Sequence, residues 1–431
     1  MSDPLTQGTQ ISLWSATARE KPLRAPRASG QTHTDVAIIG GGYTGLSTAL
    51  HLAEQGAIAT LLEAGTIGAG ASGVNGGQVI PGLKRDPEAL EQIFGECGPA
   101  ITDLFSKGPD LVFSLIDRYA IQCSPLRKGW ILAAHAVPAM KQVRERWRQW
   151  HDRGADISLL TASEISQLTG TSAYTGGLID RRAGTIQPLA YARGLARAAV
   201  AQGAKLYEAS EVTHLGKSGG KWRLAGDGFE ISAGRVVIAT DAYSGKLMPA
   251  LERSLLTVSS LQIATEPLPA GIDARILPGQ ACLSETRKVA IYMRRDPEGR
   301  VLIGGRGPVG DGMPDRLYED LHRRLLQLFP NLRGIGISHR WHGKVGLTID
   351  ELPHLHEPED GVMIGVGYNG RGVAAATTMG RIIAERIIGG PMAGVLPVAS
   401  VSSIPWRVLR QPLLTAAVTY YRLRDQLGLG A

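Results

Sequence analysis

Apolar runs alternate with helical patterns near the start of the chain. Residues 35–39 form a short apolar run rich in β-branched side chains, which predicts a buried parallel strand. Residues 46–56 have the apolar spacing of a helix and end at a glycine, a common residue at helix C-termini. Residues 57–62 predict a second strand that ends at Glu63. The order strand, helix, strand is that of a dinucleotide-binding unit.

The same kind of pattern returns further along the chain. Residues 221–224 and 229–231 predict a β-hairpin, and residues 235–241 an apolar strand that ends in small polar residues. A strand, a glycine-rich turn and a helix are predicted over 362–388, with the helix beginning near Val373. A second hairpin is predicted from 289–294 and 301–305. The fold class that these elements indicate is α/β.

Composition narrows the class of protein. The chain has 431 residues, 43% of them hydrophobic and 20% charged, as in an ordinary globular protein. Its net charge of +7 is spread along the chain, which disfavours nucleic acid as a partner. The three cysteines are far apart, so neither a disulfide framework nor a metal site is expected. The 55 glycines are about twice the usual share, and most must lie in turns or beside a ligand.

Location is predicted from what the chain does not contain. No secretory signal and no apolar run of about 20 residues is visible, so a cytoplasmic protein is expected. Residues 401–431 are interpreted as a helical tail. This tail either packs on its own domain or lies as an amphipathic helix on the inner face of a membrane.

The first glycine-rich turn predicts a diphosphate site. Gly40 would make the tight turn, Gly42 would let backbone amides approach the diphosphate, and Gly45 would let helix and strand pack closely. The helix N-terminus adds free N–H groups and partial positive charge. Glu63 can accept hydrogen bonds from both ribose hydroxyls. The predicted contacts of this unit are Gly40, Gly42, Tyr43, Thr44, Gly45, Glu63 and Ala64.

A second glycine-rich segment favours FAD over NAD as the cofactor. It comes directly after Glu63, where nicotinamide enzymes have no need for a second cradle, whereas a flavin is longer and carries a bulky ring system. The helix near Val373 would place another N-terminus at the pyrimidine edge of the flavin. The further predicted FAD contacts are Gly70, Ala71, Ser72, Asn75, Gly76, Gly77, Gln78, Val212, Thr240, Gly367, Asn369, Gly370, Arg371, Gly372 and Val373.

On these motifs the sequence resembles the FAD-dependent D-amino-acid oxidase, glycine oxidase and sarcosine oxidase superfamily, and within it the gamma-glutamylputrescine oxidase-like amine oxidoreductases. The resemblance implies a Rossmann-type FAD-binding domain and a substrate domain built on a large antiparallel sheet. We expect an N-terminal arm over 1–34 and the tail over 401–431. The FAD-binding domain is expected over 35–85, 151–249 and 331–400, and the substrate domain over 86–150 and 250–330.

The resemblance also implies the chemistry. We expect a hydride to pass from the carbon next to an amine nitrogen to flavin N5, giving an imine that water hydrolyses, with oxygen as the final acceptor. The loop from Ser72 to Gln78 has no His, and residues 341–348 have no Cys where sarcosine oxidases carry their flavin link. FAD is therefore predicted to be bound non-covalently.

Six residues are candidates for the catalytic pocket. Tyr292 and Arg294 share one strand face, and Arg294 either binds a substrate carboxylate or lies in solvent. The same two alternatives hold for Arg306 and Arg371. Tyr368 is either a wall beside the flavin ring or a core aromatic, and His342 either lines the pocket or is structural. The full set is Tyr292, Arg294, Trp341, His342, Tyr368 and Arg371.

Two other functions remain open at this point. The same fold could serve a membrane-surface FAD dehydrogenase of an amino or imino acid, of the proline, pipecolate or N-alkyl amino acid type, that passes electrons to quinone. A nucleic-acid-binding flavoprotein is a third hypothesis, disfavoured by the dispersed basic residues. The amine itself is not named by any sequence pattern.

Overall fold

The computed structural model describes residues 12–245, 247–287, 290–309 and 313–404. Its strands are β1 Gly30–Ile39, β2 Ala59–Leu62, β3 Gln78–Val79, β4 Trp130–Ala134, β5 Ile157–Leu160, β6 Gly176–Asp180, β7 Gly184–Thr185, β8 Lys205–Tyr207, β9 His214–Ser218, β10 Lys221–Gly226, β11 Phe229–Ile238, β12 Leu256–Thr265, β13 Cys282–Glu285, β14 Ile291–Arg295, β15 Val301–Val309, β16 Ile337–Leu347, β17 His354–His356 and β18 Val362–Val366. Its helices are α1 Leu13–Thr17, α2 Tyr43–Glu54, α3 Ala71–Val74, α4 Pro87–Phe94, α5 Gly98–Ser106, α6 Gly108–Arg118, α7 Ala139–His151, α8 Ala162–Thr169, α9 Pro188–Ala201, α10 Pro249–Ser254, α11 Asp315–Leu328 and α12 Gly372–Ile388.

The first sheet contains the predicted dinucleotide-binding unit. Its strands run in the order β17-β18-β11-β1-β2-β8, and all neighbours are parallel except β17 and β18. Strand β2 is buried along its whole length, as expected for a parallel strand covered on both faces. Helix α2 follows β1 directly and α12 follows β18, so both helices begin at the same edge of the sheet.

Both hairpins predicted from the sequence are present. Strand β10 pairs antiparallel with β11 and with β9, and β11 continues without interruption to Ile238. Strands β14 and β15 pair antiparallel around a turn in which Asp296 Oδ1 accepts from the amides of Glu298 and Arg300. Carboxylates commonly stabilise turns in this way.

The second sheet has eight strands in the order β16-β12-β15-β14-β13-β4-β6-β5. All pairs are antiparallel except β13 with β4, which are parallel. The predicted α/β fold with a second, largely antiparallel sheet is therefore confirmed, with one parallel pair added. Helix α11 covers one face of this sheet through buried leucines such as Leu321 and Leu325.

The segments that form each sheet differ from the boundaries expected from the sequence. Strands β5, β6 and β16 lie within segments expected in the FAD-binding domain, but their hydrogen-bond partners are in the second sheet. Helices α5 and α6 lie in the segment expected in the substrate domain, yet Phe105 and Ile116 pack in the same apolar core as α2 and α12. The pattern of hydrophobic positions identifies helices and strands. Contacts between distant segments determine which sheet or core each of them joins.

Candidate functional site

The turn between β1 and α2 is closed tightly around its glycines. Gly40 has a φ of +110°, and a Cβ there would lie 2.8 Å from the carbonyl oxygen of Ala239. A Cβ on Gly45 would overlap the carbonyl oxygen of Gly40. Two glycine positions are thus fixed by close backbone approach, and the helix N-terminus is left open to an anion.

Glu63 lies where the sequence places it, beside this turn. Its Oε2 accepts from the amide of Gly41 at 2.6 Å and its Oε1 from the amide of Gly65 at 2.8 Å. Burial raises the pKa of the carboxyl group, although the two amides act in the opposite direction. The side chain is therefore held in one orientation, with the remaining lone pairs of both oxygens available to ligand hydroxyls.

The second glycine-rich loop lies against the first. Ser72 Oγ accepts from the amide of Tyr43 at 3.0 Å and is 2.9 Å from where a Cβ on Gly42 would stand. Asn75 Nδ2 donates to the Tyr43 hydroxyl at 3.1 Å, and Asn75 Oδ1 accepts from the amide of Gly77. The two loops that the sequence assigns to one cofactor thus form a single continuous surface.

The C-terminal segment returns to the same place. The hydroxyl of Tyr368 is hydrogen-bonded to Thr44 Oγ1 in the first turn of α2. Asn369 has a φ of +53° and its amide group bonds both Thr348 and the carbonyl oxygen of Gly367. The third predicted segment is therefore brought to the first, across more than 300 residues of sequence.

Two residues of this region were not among the sequence candidates. Asp241 Oδ1 accepts from the amide of Gly367 at 2.8 Å, and burial raises the pKa of this carboxyl group. The ring of Tyr243 lies 3.4 Å from where a Cβ on Gly70 would stand, and its hydroxyl accepts from the amide of Lys344. Their position directly after the buried strand β11 is the signal that could have identified them.

One face of the second sheet lies over the second glycine loop. The ring of Tyr292 is 2.8 Å from where a Cβ on Gly76 would stand, and its hydroxyl is 2.9 Å from Ser260 Oγ. Gly304, the register partner of Tyr292, leaves room for that ring. The structure thus places Tyr292 at the junction between the two domains.

Arg294 lies on the same strand face but contacts protein groups. The side chain is only 3% exposed, and its Nη1 donates to the carbonyl oxygens of Gly77 at 3.1 Å and Ile186 at 2.6 Å. Burial lowers the pKa of the guanidinium to about 10. These contacts hold the glycine loop in place and leave the predicted role in substrate binding without support from the geometry.

Trp341 and His342 point to opposite faces of β16. Trp341 Nε1 donates to the carbonyl oxygen of Val74 at 3.0 Å, so this side chain contacts the second glycine loop. His342 is exposed and its Nδ1 is 2.9 Å from the Tyr318 hydroxyl on α11. The structure therefore brings Trp341 to the other candidates and places His342 on the opposite face of the sheet.

Arg371 reaches the loop that follows β3. Its Nη1 donates to the carbonyl oxygen of Pro81 at 2.7 Å, and its guanidinium lies 5.2 Å from the ring centroid of Trp130. Burial lowers the pKa of Arg371 to about 9, and the neighbouring Arg146 acts in the same direction. Arg371 therefore joins the N-terminus of α12 to the second sheet.

Three further cofactor candidates differ in how near they lie to the first turn. Thr240 follows β11, and its Cγ2 is 3.4 Å from where a Cβ on Gly40 would stand. Val212 is buried in the core beneath the ends of β1 and β2. Gln78 Nε2 donates to the carbonyl oxygens of Leu283 and Met293 in the second sheet, so its amide is used between the domains.

The described part of the chain contains neither a cluster of metal ligands nor a membrane-spanning helix. No group of three or more potential metal ligands occurs among those residues. None of the helices described there is long and apolar enough to cross a membrane. The predicted tail over 401–431 lies almost entirely outside the described residues, which end at Ile404.

The cradle fits an extended flavin dinucleotide. A glycine turn and helix N-terminus suit a diphosphate, Glu63 suits ribose hydroxyls, and the second loop gives a further surface facing a separate sheet. The fold and site together define a flavin-dependent oxidoreductase.

Comparison with known proteins agrees with this class. The model of the FAD dependent oxidoreductase family, DAO, matches residues 35–386, and the chain belongs to this family. It is 32% identical over 402 residues to gamma-glutamylputrescine oxidoreductase of Escherichia coli strain K12, covering 92% of this chain and 93% of that protein. It is 31% identical to the probable oxidoreductase OrdL of Rhizobium meliloti strain 1021, covering 98% and 99%.

Solved structures show the same fold. Glycine oxidase from Geobacillus kaustophilus superimposes with a TM-score of 0.73 at 23% identity, over 86% of this chain and 99% of that one. The superfamily resemblance stated from the motifs is confirmed, and the chain is an FAD-dependent oxidoreductase of the kind that acts on amines or amino acids.

Proposed function

We propose that the chain oxidises the carbon–nitrogen bond of a small amine of the gamma-glutamylputrescine type, with molecular oxygen as the electron acceptor. The observation that carries this proposal is the position of Tyr292 on Gly76, because it puts a separate sheet face directly over the second glycine loop. The 32% identity to gamma-glutamylputrescine oxidoreductase, over nearly all of both chains, supports the substrate type.

The chemistry that bound FAD supplies is acceptance of a hydride from the carbon next to the amine nitrogen. Water then hydrolyses the imine. The residues of the chain have the tasks of binding, orientation and exclusion of water. Gly40, Gly42 and Gly45 would hold the diphosphate, and Glu63 the ribose.

The sheet face would orient the substrate amine. Tyr292, Ser260 and Trp341 lie on this face beside the second loop. Its apolar rings favour the neutral amine over the ammonium form, because burial without an opposite charge penalises the cation. Transfer of a hydride requires this neutral form, so no separate catalytic base is assigned.

We also propose that FAD is held without a covalent bond. The loop from Ser72 to Gln78 offers no His or Cys side chain, and His342 faces α11 on the far side of the sheet. Denaturation with acid is expected to release the yellow colour into the supernatant. Colour that stays with the pellet would contradict this part of the proposal.

Anaerobic reduction of the flavin tests the function directly. The purified holoenzyme would be mixed with polyamines, gamma-glutamylated amines, cyclic imino acids and N-methyl amino acids, and loss of flavin absorbance followed. Fast bleaching by gamma-glutamylputrescine, and hydrogen peroxide formation after air is admitted, are the expected results. Bleaching by none of the amines, or only by proline-type substrates, would refute the proposal.

A further inference from the structure

A cation lies beyond Tyr292 on the same face of the second sheet. Arg306 is two residues along β15 from Gly304, so its side chain points to the side occupied by the Tyr292 ring. Its register partner is Ser260, whose Oγ bonds the Tyr292 hydroxyl. Two residues of an extended strand span about 7 Å, which places Arg306 one side chain further out than Tyr292.

Lys84 is a second cation, and it comes from the other side of the site. It lies in the loop after β3, three residues beyond Pro81, whose carbonyl oxygen accepts from Arg371. The next residue, Arg85, donates to the carbonyl oxygen of Asp350 at 2.9 Å and is 3.5 Å from the carboxylate of Glu351. The loop carrying Lys84 is therefore fixed at both ends.

Lys84 and Arg306 lie close enough to influence each other. The charges that act on Lys84 are those of Arg371, Arg306, Glu351 and Arg146. Arg371 already contacts the carbonyl oxygen of Pro81 and the ring of Trp130. Arg146 forms an ion pair with Asp86 at 2.6 Å. Glu351 is paired with Arg85.

The two cations themselves have no such partners. Within the described part of the chain, neither Lys84 nor Arg306 has a hydrogen bond or an ion pair. Both side chains are exposed, yet burial lowers the pKa of Lys84 to about 8 and also lowers that of Arg306. Two exposed cations without an ion pair favour an anionic group of a ligand.

We propose that Lys84 and Arg306 bind a carboxylate of the amine substrate, at the end remote from the nitrogen that is oxidised. This inference rests on the proposed function and names the class of substrate, an amine with a distant carboxylate. A singly charged group is favoured over a phosphate dianion because Glu351 lies beside the two cations and repels added negative charge.

Kinetics of matched substrates test the assignment. Lys84→Met and Arg306→Met should each lower kcat/KM for gamma-glutamylputrescine about ten- to a hundredfold, mainly through KM, because a charge-assisted contact is lost. The kcat/KM for putrescine, which has no carboxylate, should not change. Lys221→Met, an exposed lysine on β10, is the matched control and should leave both substrates unaffected. Equal losses on both substrates, or none, would overturn the proposal.

Binding of a non-oxidisable ligand separates this inference from the proposed function. N-butylglutaramate has the distant carboxylate and no amine, and its binding to the holoenzyme can be followed by calorimetry. Wild type should bind it, with weaker binding in both variants. If the variants bind it as wild type does while amines still bleach the flavin, only the carboxylate assignment fails. If binding depends on Lys84 and Arg306 but no amine bleaches the flavin, only the proposed oxidation fails.

Discussion

Trp14 Nε1 donates a hydrogen bond to the carbonyl oxygen of Asn75 at 2.8 Å. The side chain is 1% exposed, although it comes from a short helix near the N-terminus. Its ring meets that of Trp341 edge to face at a centroid distance of 5.7 Å, and the Arg294 guanidinium lies 5.4 Å from its centroid. One tryptophan of the arm therefore joins the second glycine loop to the second sheet.

Trp14→Phe should weaken FAD binding. The substitution keeps most of the apolar volume and removes the donor to Asn75, so the loop loses one fixed point. A rise of about tenfold in the FAD dissociation constant is expected, equal to about 1.4 kcal/mol. Titration of the apoprotein with FAD, followed by flavin fluorescence, measures it.

Trp222→Phe is the matched control for that variant. Trp222 is also buried, and its Nε1 also donates to a backbone carbonyl, that of Asp360 at 3.2 Å. It lies in the β9–β10 hairpin, away from the glycine loops. Both variants should lower Tm, but only Trp14→Phe should change FAD affinity. The same affinity change in both would show that Trp14 acts through general stability alone.

Gly42→Val should abolish FAD binding without unfolding the chain. Gly42 has a φ of −89°, which valine tolerates, but the added Cβ would lie 2.9 Å from Ser72 Oγ and fill the diphosphate approach. Gly394→Val, at a glycine with open space around it, is the control. The ratio of flavin to protein absorbance after purification reports the result. A Gly42→Val protein with a full complement of flavin would refute the assignment.

Glu63→Gln should weaken FAD binding, with an effect larger than loss of charge alone would give. Both carboxylate oxygens accept from backbone amides, so a glutamine must turn its NH₂ group toward the amide of Gly41 or Gly65. One unsatisfied amide costs about 1–3 kcal/mol. We expect FAD affinity and apoprotein Tm both to fall. Affinity equal to that of wild type would show that Glu63 does not contact the ribose.

Short sequence motifs predict a large part of the fold and of the cofactor site. The glycines of the first turn and Glu63 lie within one strand-turn-helix-strand unit, whose spacing fixes their geometry. The segment at Tyr368 repeats the order of strand, glycine-rich turn and helix, so the sequence also predicts its place at the cofactor site. Arg294 and His342 show where prediction from sequence motifs fails. Alternation predicts that two residues share a face, but which face meets the cofactor depends on pairing across the whole second sheet.

Lys84 could not be found from the sequence, and Arg306 could not be paired with it, for the same reason. They are separated by more than 200 residues, and neither belongs to a motif. A single exposed lysine or arginine in a sequence is most often a solvated side chain. Only the fold brings them close enough for their charges to act on each other.

Arg294→Met should affect the cofactor site and leave substrate selection unchanged. Loss of the guanidinium leaves the carbonyl oxygens of Gly77 and Ile186 without their donor, which should lower the free energy of unfolding by about 1–3 kcal/mol. FAD affinity should fall with it. The ratio of kcat/KM for gamma-glutamylputrescine to that for putrescine should stay the same. A selective loss on gamma-glutamylputrescine would instead support the carboxylate role expected from the sequence.

The preference for a carboxylate-bearing amine should decrease at alkaline pH. Burial lowers the pKa of Lys84 to about 8, with Arg371, Arg306 and Arg146 acting in the same direction and Glu351 against it. Lys84 therefore carries its charge below this pH and loses it above, and the attraction for a carboxylate is lost in the same direction. The amines of the two substrates also titrate, so the ratio of kcat/KM for gamma-glutamylputrescine to putrescine is compared between wild type and Lys84→Arg. This ratio should fall between about pH 7 and about pH 9. In Lys84→Arg it should stay level, because a guanidinium keeps its charge over that range. A parallel fall in both proteins would assign the titration to another group.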